Sequence, residues 1–270
     1  MKFNKIAIIG GGNLGTSIIK GLLGTGDFKA GDIIISEIRE RRRTYLSDAG
    51  FQVTKDNRKA VSESNLIIIA VKPQQVNDLL DDISKSINKE KHIISYTVSG
   101  LGINEIENKL GDLPIFRLMP NTAIEIGESM TCISYKNGNK QIAESVISLF
   151  EKLGKTIVIN EELMGAATVL GACGIAYALR YMRAASQGGI EIGFSAEVSQ
   201  LITAQTLKGA SKLILESSNH PEREIDKVTT PQGITISGLN EMEHQGFSSA
   251  LIKGLITSFN KLEKLKSNST

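Results

Sequence analysis

The residues whose spacing most directly suggests chemistry are Gly10, Gly12 and Gly15, a G-x-G-x-x-G pattern near the front of the chain. Each glycine has its own task in such a loop. Gly10 makes a tight turn, and Gly12 lets the backbone approach a pyrophosphate. Gly15 lets the next helix pack close to the preceding strand. Unpaired N–H groups at the helix start would meet the diphosphate charge. Asn13 adds a polar contact, and Leu14 completes the candidate cofactor-binding loop. The flanks fit: Ile6, Ala7, Ile8 and Ile9 read as a buried parallel strand, and Leu14, Ile18, Ile19, Leu22 and Leu23 as a helix.

Two further stretches belong at the same edge. Asp32–Ser36 reads as the second strand, and Glu37 follows where a dinucleotide fold reads its ribose. A carboxylate there would bind the adenosine ribose diol and disfavour a 2′-phosphate. Arg39, Arg41, Arg42 and Arg43 argue the other way, because guanidinium suits phosphate. NADPH and NADH therefore both remain open, with a slight lean to NADPH. Asn65–Val71 is another buried strand, so Ala70, Lys72 and Pro73 fall at the carboxyl end of the sheet, where ligands bind.

The supporting elements alternate. Short strands are expected at Phe51–Thr54, His92–Tyr96, Pro114–Met119, Thr131–Tyr135 and Thr156–Ile159, with helices at Asp56–Ser62, Val76–Ile87, Glu105–Leu110 and Gln141–Leu153. This alternation predicts a doubly wound α/β domain over residues 1–160. His92 reads as a strand-edge residue rather than a base. After Asn160 the strand pattern stops. Glu161–Gln187, Ser195–Glu216, Pro221–Lys227 and Ala250–Leu265 read as helices, with fraying over Ser267–Thr270. Gly165, Gly171, Gly174 and their alanine neighbours would weaken an isolated helix and suit close packing. Residues 161–270 are thus expected to be an all-helical domain that hides its small-residue faces by dimerising.

Composition narrows the classes. The 270 residues are 41% hydrophobic, enough for one large or two modest cores. A net charge of +2, from 31 basic and 29 acidic side chains, favours no polymer partner, so no nucleic acid is expected. Every apolar run is interrupted by glycine or polar residues before spanning length, so no membrane partner is expected either. Cys132 and Cys173 form no metal pattern and suit a reducing compartment. With no leader expected ahead of the first strand, the cytoplasm is the expected location.

Five segments in this order resemble the pyrroline-5-carboxylate reductase family over nearly the whole chain. They are Gly10–Gly15, Ala70–Gln74, Arg117–Thr122, Gly188–Gly189 with Ala204–Thr206 and Gly209–Ala210, and Val228–Gly238. The last is the most specific. The resemblance implies a Rossmann-like N-terminal dinucleotide domain and an all-helical C-terminal dimerisation domain that also carries substrate-site residues. It implies an interlocked homodimer, with dimers joining into rings in the family, and an active site between the cofactor domain of one chain and the helical domains of the dimer. The implied reaction reduces a small cyclic imine carboxylate, 1-pyrroline-5-carboxylate, to L-proline with NADPH or NADH.

Site roles carry over residue by residue. Thr230 and Thr235 take the positions of two hydroxyls that, with backbone N–H groups such as those of Gly233 and Ile234, hold the substrate carboxylate and ring nitrogen. Thr235 is the candidate for orienting that nitrogen during hydride transfer, as a polarising group rather than a proton reservoir. Met119 and Asn121 correspond to residues near the nicotinamide, and Asn121 is a substrate-site candidate too. The chain departs from the family at Gln232 (usually glycine), at Ile234 (usually smaller), at Ala123 (usually proline) and across Gly171–Tyr177. Tyr177 would either line the dimeric site or pack between helices. The alternatives are a reductase of another cyclic imine, a 2-hydroxyacid-type enzyme using Lys208 or Lys212, and a non-catalytic NAD(P)-binding homologue.

Overall fold

The computed structural model describes residues 3–267. Residues 1–2 and 268–270, at the outer ends of the two expected domains, lie outside the described residues. The chain forms two compact units, one reaching to Ile175 and resuming at Phe259, the other Ala176–Ser258.

The first unit is built on a sheet of strands β1 (Ile6–Ile9), β2 (Ile33–Ser36), β3 (Gln52–Thr54), β4 (Leu66–Ile69), β5 (Ile93–Tyr96), β6 (Ile115–Met119), β7 (Ser129–Lys136) and β8 (Gly154–Val158). Their spatial order is β3-β2-β1-β4-β5-β6-β7-β8. Pairing is parallel from β3 to β6, β7 turns antiparallel to β6, and β8 runs parallel to β7. Strands β1, β2, β4 and β5 are buried at every position. That is why they read as unbroken apolar runs rather than alternating ones.

Helices α1 (Asn13–Gly24), α2 (Glu40–Asp48), α3 (Asn57–Ser62), α4 (Val76–Ile83), α5 (Ile103–Leu110) and α6 (Lys140–Glu151) cover this sheet. Successive strand side chains point to opposite faces. Ile6, Ile8, Ile33 and Ile35 therefore join Ile18, Ile19, Leu22, Val146 and Phe150 in one core. Ala7, Ile9, Ile34 and Ile67 join Val61, Leu79, Leu80, Ile83 and Ile106 in the other. The chain winds outward from β1 through β2 to β3, then returns to the far side of β1 as β4. That reversal is the topological switch point.

Some boundaries move. The helix expected over Val76–Ile87 stops at Ile83 and continues as a 3-10 turn, Ser84–Ser86. The arginine-rich stretch after β2 is itself the helix α2. The long helix expected from Glu161 runs to Glu191, broken by a π turn at Thr168–Ala172 between α7 (Met164–Ala167) and α8 (Gly174–Glu191). By length and composition this Glu161–Glu191 helix could cross a membrane, because its glycines and alanines lower its apolar character less than charged residues would.

The second unit consists of most of α8, then α9 (Ala196–Ser217), α10 (Pro221–Asp226), α11 (Ile234–His244) and the first half of α12 (Phe247–Ser267). Ser195 caps α9 as expected, accepting the Val198 N–H at 3.4 Å. Where α8 and α9 meet, a Cβ on Gly189 would lie 2.0 Å from Ser199 Oγ. Glycine there is a packing requirement. Ser199 is the one buried residue among Ala176–Ser258, while Ile192, Leu201 and Ile234 are 78%, 70% and 94% exposed. A helical unit with no buried apolar side chain of its own needs a covering surface.

Two tests follow from this packing. His92 is buried just before β5, with Nδ1 accepting the Asn88 N–H at 3.0 Å. Burial, helped by the Lys91 charge, lowers its pKa. The unfolded chain protonates this imidazole near about pH 6.5 and the folded chain resists, so stability falls as pH drops through that value. The thermal midpoint is expected to fall between about pH 7.5 and about pH 5, and His92→Asn to flatten the trend. An unchanged slope in the variant would show that His92 is not its source. At Gly15, a Cβ would lie 2.0 Å from the Gly10 carbonyl oxygen. Gly15→Ala is expected to cost about 1–3 kcal/mol in denaturant unfolding; wild-type stability in that variant would contradict the contact.

Candidate functional site

The strand register builds the site. Ile9 pairs with Ser36 on one side and Ile69 on the other, so Gly10, Glu37 and Ala70 leave the sheet side by side. Gly10 turns with φ +108° and donates its N–H to the Ser36 carbonyl at 2.8 Å. A Cβ on Gly10 would lie 2.5 Å from the Ala70 oxygen. No larger residue fits between these two strand ends.

A cleft of about 630 Å³ opens at this edge, and Gly10, Gly12, Asn13, Glu37, Arg39, Ala70 and Lys72 all line it. The sequence places these seven at one edge of the sheet, and one cleft holds all of them. Gly12 has φ −72°, and a Cβ there would meet nothing within 4 Å, so this face of the loop is open space. The first turn of α1 carries no carboxylate, and its leading N–H groups have no intrahelical partner. These features fit a dinucleotide pyrophosphate. Three expected members of these stretches, Leu14, Gly15 and Pro73, do not line the cleft; Gly15 is buried with the Gly10 carbonyl against it. Leu14 packs against the core of the sheet, and Pro73 opens an exposed 3-10 turn, Pro73–Gln75.

Glu37 has a different task from the one expected. Its side chain is only 4% exposed, and both carboxylate oxygens are engaged. Oε2 accepts the Gly11 N–H at 3.1 Å and Arg39 Nη2 at 2.9 Å. Oε1 accepts the Arg39 N–H and Nε, both at 2.9 Å. Burial pushes this carboxyl up, but the Arg39 hydrogen bonds and charge, with the Gly11 N–H, outweigh it and hold the pKa below the usual carboxylate range. The two signals that conflict in the sequence are thus partners in one ion pair. Arg39 stays 62% exposed at the mouth of the cleft.

The cleft also holds residues that the sequence did not single out as ligands. Ser36 donates to Asn57 Oδ1 at 2.6 Å, and both line it. Arg42, one of the arginines that the sequence weighs as suited to phosphate, lines it as well, one turn on from Arg39 in α2.

Met119 and Asn121 do not reach this cleft, because β6 lies three strands from β1, about 14 Å away. Met119 is buried and paired with Cys132 in the sheet. The Asn121 carboxamide is committed to its own loop. It accepts the Ala123 N–H at 3.0 Å, capping the 3-10 turn Thr122–Ile126, and donates to the Gly171 carbonyl at 3.3 Å. In the single chain the Asn121 carboxamide thus has a structural task at both its oxygen and its nitrogen. Ala123 has a reason too: a proline has no N–H to give this cap.

In the helical unit, Thr230–Gly233 is a turn closed by the Gly233 N–H on the Thr230 carbonyl at 2.8 Å. Gly233 therefore has no free N–H to offer a ligand, contrary to expectation. Its lack of a side chain is what counts, since a Cβ would lie 2.6 Å from Thr230 Oγ1. Gln232 sits at φ +60°, in the place where such a turn prefers glycine. Gly233 then caps α11, leaving Ile234 and Thr235 as its first two residues, both exposed. Their N–H groups have no intrahelical partner. Tyr177 hydrogen-bonds Ser258 at 2.7 Å within this unit. Both cysteines are free, and among the described residues no cluster of three metal-type ligands occurs.

Comparison with known proteins agrees with this arrangement. Residues 161–265 match the family described as pyrroline-5-carboxylate reductase dimerisation, and residues 5–99 the family described as NADP oxidoreductase, coenzyme F420-dependent. Pyrroline-5-carboxylate reductase 1 of Dictyostelium discoideum is 46% identical over 97% of this chain, which spans 50% of that protein's length. Pyrroline-5-carboxylate reductase 2 of the same organism is 43% identical, over 98% of this chain and 94% of its own. The crystal structure of Plasmodium falciparum pyrroline carboxylate reductase with NADP bound shares the fold, with TM-score 0.88 at 23% identity over 97% of this chain and 98% of that one. The helical face left bare in a single chain is a dimerisation face, the glycine loop belongs to a nucleotide-binding Rossmann domain, and the chain belongs to the pyrroline-5-carboxylate reductase family.

Proposed function

We propose that this protein reduces 1-pyrroline-5-carboxylate to L-proline, with NADPH preferred over NADH, as a homodimer. The observation that carries this reading is the open glycine loop at the switch point, in a chain of this family. A nicotinamide cofactor supplies the hydride. The protein's work is to bind, orient and exclude water.

The preference for NADPH rests on Glu37. A carboxylate reads a ribose diol only if its oxygens are available, and here both are taken by Gly11 and Arg39. The Arg39 guanidinium, 62% exposed, then stands at this edge of the cleft. Such an edge suits a 2′-phosphate.

The substrate carboxylate is taken by the N–H groups of Ile234 and Thr235 at the start of α11, whose first turn carries no acidic side chain. The Thr230 hydroxyl adds to this. The Thr235 hydroxyl hydrogen-bonds the ring nitrogen. A protonated imine is already electrophilic, so the carbon of the C=N bond accepts the hydride and its π electrons become the nitrogen lone pair. The resulting secondary amine takes a further proton from solvent. Thr235 orients this nitrogen throughout and is not itself a proton store, since a hydroxyl titrates far from neutral pH.

The reading is tested by following NADPH and NADH oxidation by purified protein with 1-pyrroline-5-carboxylate, using 1-piperideine-2-carboxylate for comparison. Faster oxidation with the five-membered ring, and with NADPH, is expected; cofactor binding without oxidation by either imine would overturn the assignment. Thr235→Ala should lower kcat about 10- to 100-fold while leaving the Kd for NADPH unchanged. Unaltered turnover and KM would take Thr235 out of the site.

A further inference from the structure

Arg42 makes an unusual set of contacts for a residue on the outer helix of a nucleotide cleft. Its Nε donates to the Gly11 carbonyl at 2.8 Å and its Nη2 to Thr16 Oγ1 at 2.8 Å. The Thr16 hydroxyl lies 3.3 Å from the same Gly11 oxygen. The guanidinium stands 4.9 Å over the Tyr45 ring. Gly11 is therefore gripped at both ends, its N–H by Glu37 and its carbonyl by Arg42. Glu37 is fixed in turn by Arg39.

This grip sets the direction of the loop's amides. In a trans peptide the C=O and the following N–H point opposite ways. Pinning the Gly11 carbonyl on Arg42 points the Gly12 N–H the opposite way within that peptide plane, and Gly12 lines the open cleft. Both acceptors of Arg42 are neutral, so its charge is not cancelled and stays beside the loop.

We propose that Arg42 is a positioning residue for the phosphate-binding loop, acting through Gly11 on NADPH and NADH alike rather than reading the 2′-phosphate. The proposal rests on the reading of this cleft as a dinucleotide site. Without the grip, the loop's glycines regain conformational freedom that binding must then remove. The fork geometry matters beyond the charge, because lysine supplies a point charge and cannot bridge the Gly11 carbonyl and the Thr16 hydroxyl in one plane.

The test measures Kd for NADPH, NADH, ADP-ribose and 2′-AMP on wild type, Arg42→Lys and Thr16→Val, with apoprotein melting curves alongside. Arg42→Lys is expected to weaken NADPH, NADH and ADP-ribose by equal factors of about 10 or more, and to leave 2′-AMP, which lacks the pyrophosphate, unchanged. Thr16→Val, which keeps the arginine, should shift the same three ligands in the same direction by a smaller factor. In steady state the cofactor KM should rise while kcat holds. Weakening of NADPH and 2′-AMP alone would make Arg42 a direct phosphate reader and overturn the proposal, as would unchanged binding of all four ligands in both variants. Failure of wild type to bind either dinucleotide would instead remove the cofactor reading and the proposal with it. Dinucleotide binding without imine reduction would count against the substrate assignment only.

Discussion

The backbone contact between Gly10 and its neighbours is the constraint on which the rest of the first unit depends. The Gly10 N–H reaches Ser36 at the end of β2, its Cα faces the Ala70 carbonyl after β4, and its own carbonyl lies against Gly15 of α1. Three strand ends and a helix start thus converge on one residue without a side chain. Because β1 is the central strand of the switch point, this convergence also sets where a ligand can enter. The open side of Gly12 and the bare first turn of α1 follow from the same turn.

Around that turn, charge is used for architecture before it is used for binding. Glu37 and Arg39 neutralise each other and fix the Gly11 N–H, and Arg42 fixes the Gly11 carbonyl. A loop free to sample many conformations would lose entropy on binding, and one fixed in advance loses less. Arg42, whose two acceptors are neutral, keeps its charge beside the loop. The ion pair therefore serves to fix the loop before any ligand arrives.

The helical unit shows the opposite economy. Its helices carry large apolar residues, but its described residues bury only Ser199 in the single chain. Residues Thr230 and Gln232 of the turn and the start of α11 are likewise exposed. A surface of this kind is stable when a second copy covers it, which agrees with the match of residues 161–265 to a dimerisation family. Two residues that stand out in the sequence have local structural consequences. Gln232 keeps the turn at the expense of a left-handed backbone, and Ala123 gains a cap bond.

The sequence by itself determined the strands and the glycine loop, since β-branched runs, helical spacing and glycine stereochemistry act over a few residues. It also placed Gly10, Gly12, Asn13, Glu37, Arg39, Ala70 and Lys72 at one cleft, because each follows a recognisable strand end. What only the tertiary structure decided was how hydrogen-bonding groups are shared out. That Glu37 would be consumed by Gly11 and Arg39, that Asn121 would cap its own loop and that Gly233 would use its N–H within a turn depend on which groups meet in space. Those meetings join residues as far apart as Gly11 and Glu37, or Asn121 and Gly171. Local pattern sets which donors and acceptors exist; strand register and helix packing set which of them remain free for a ligand.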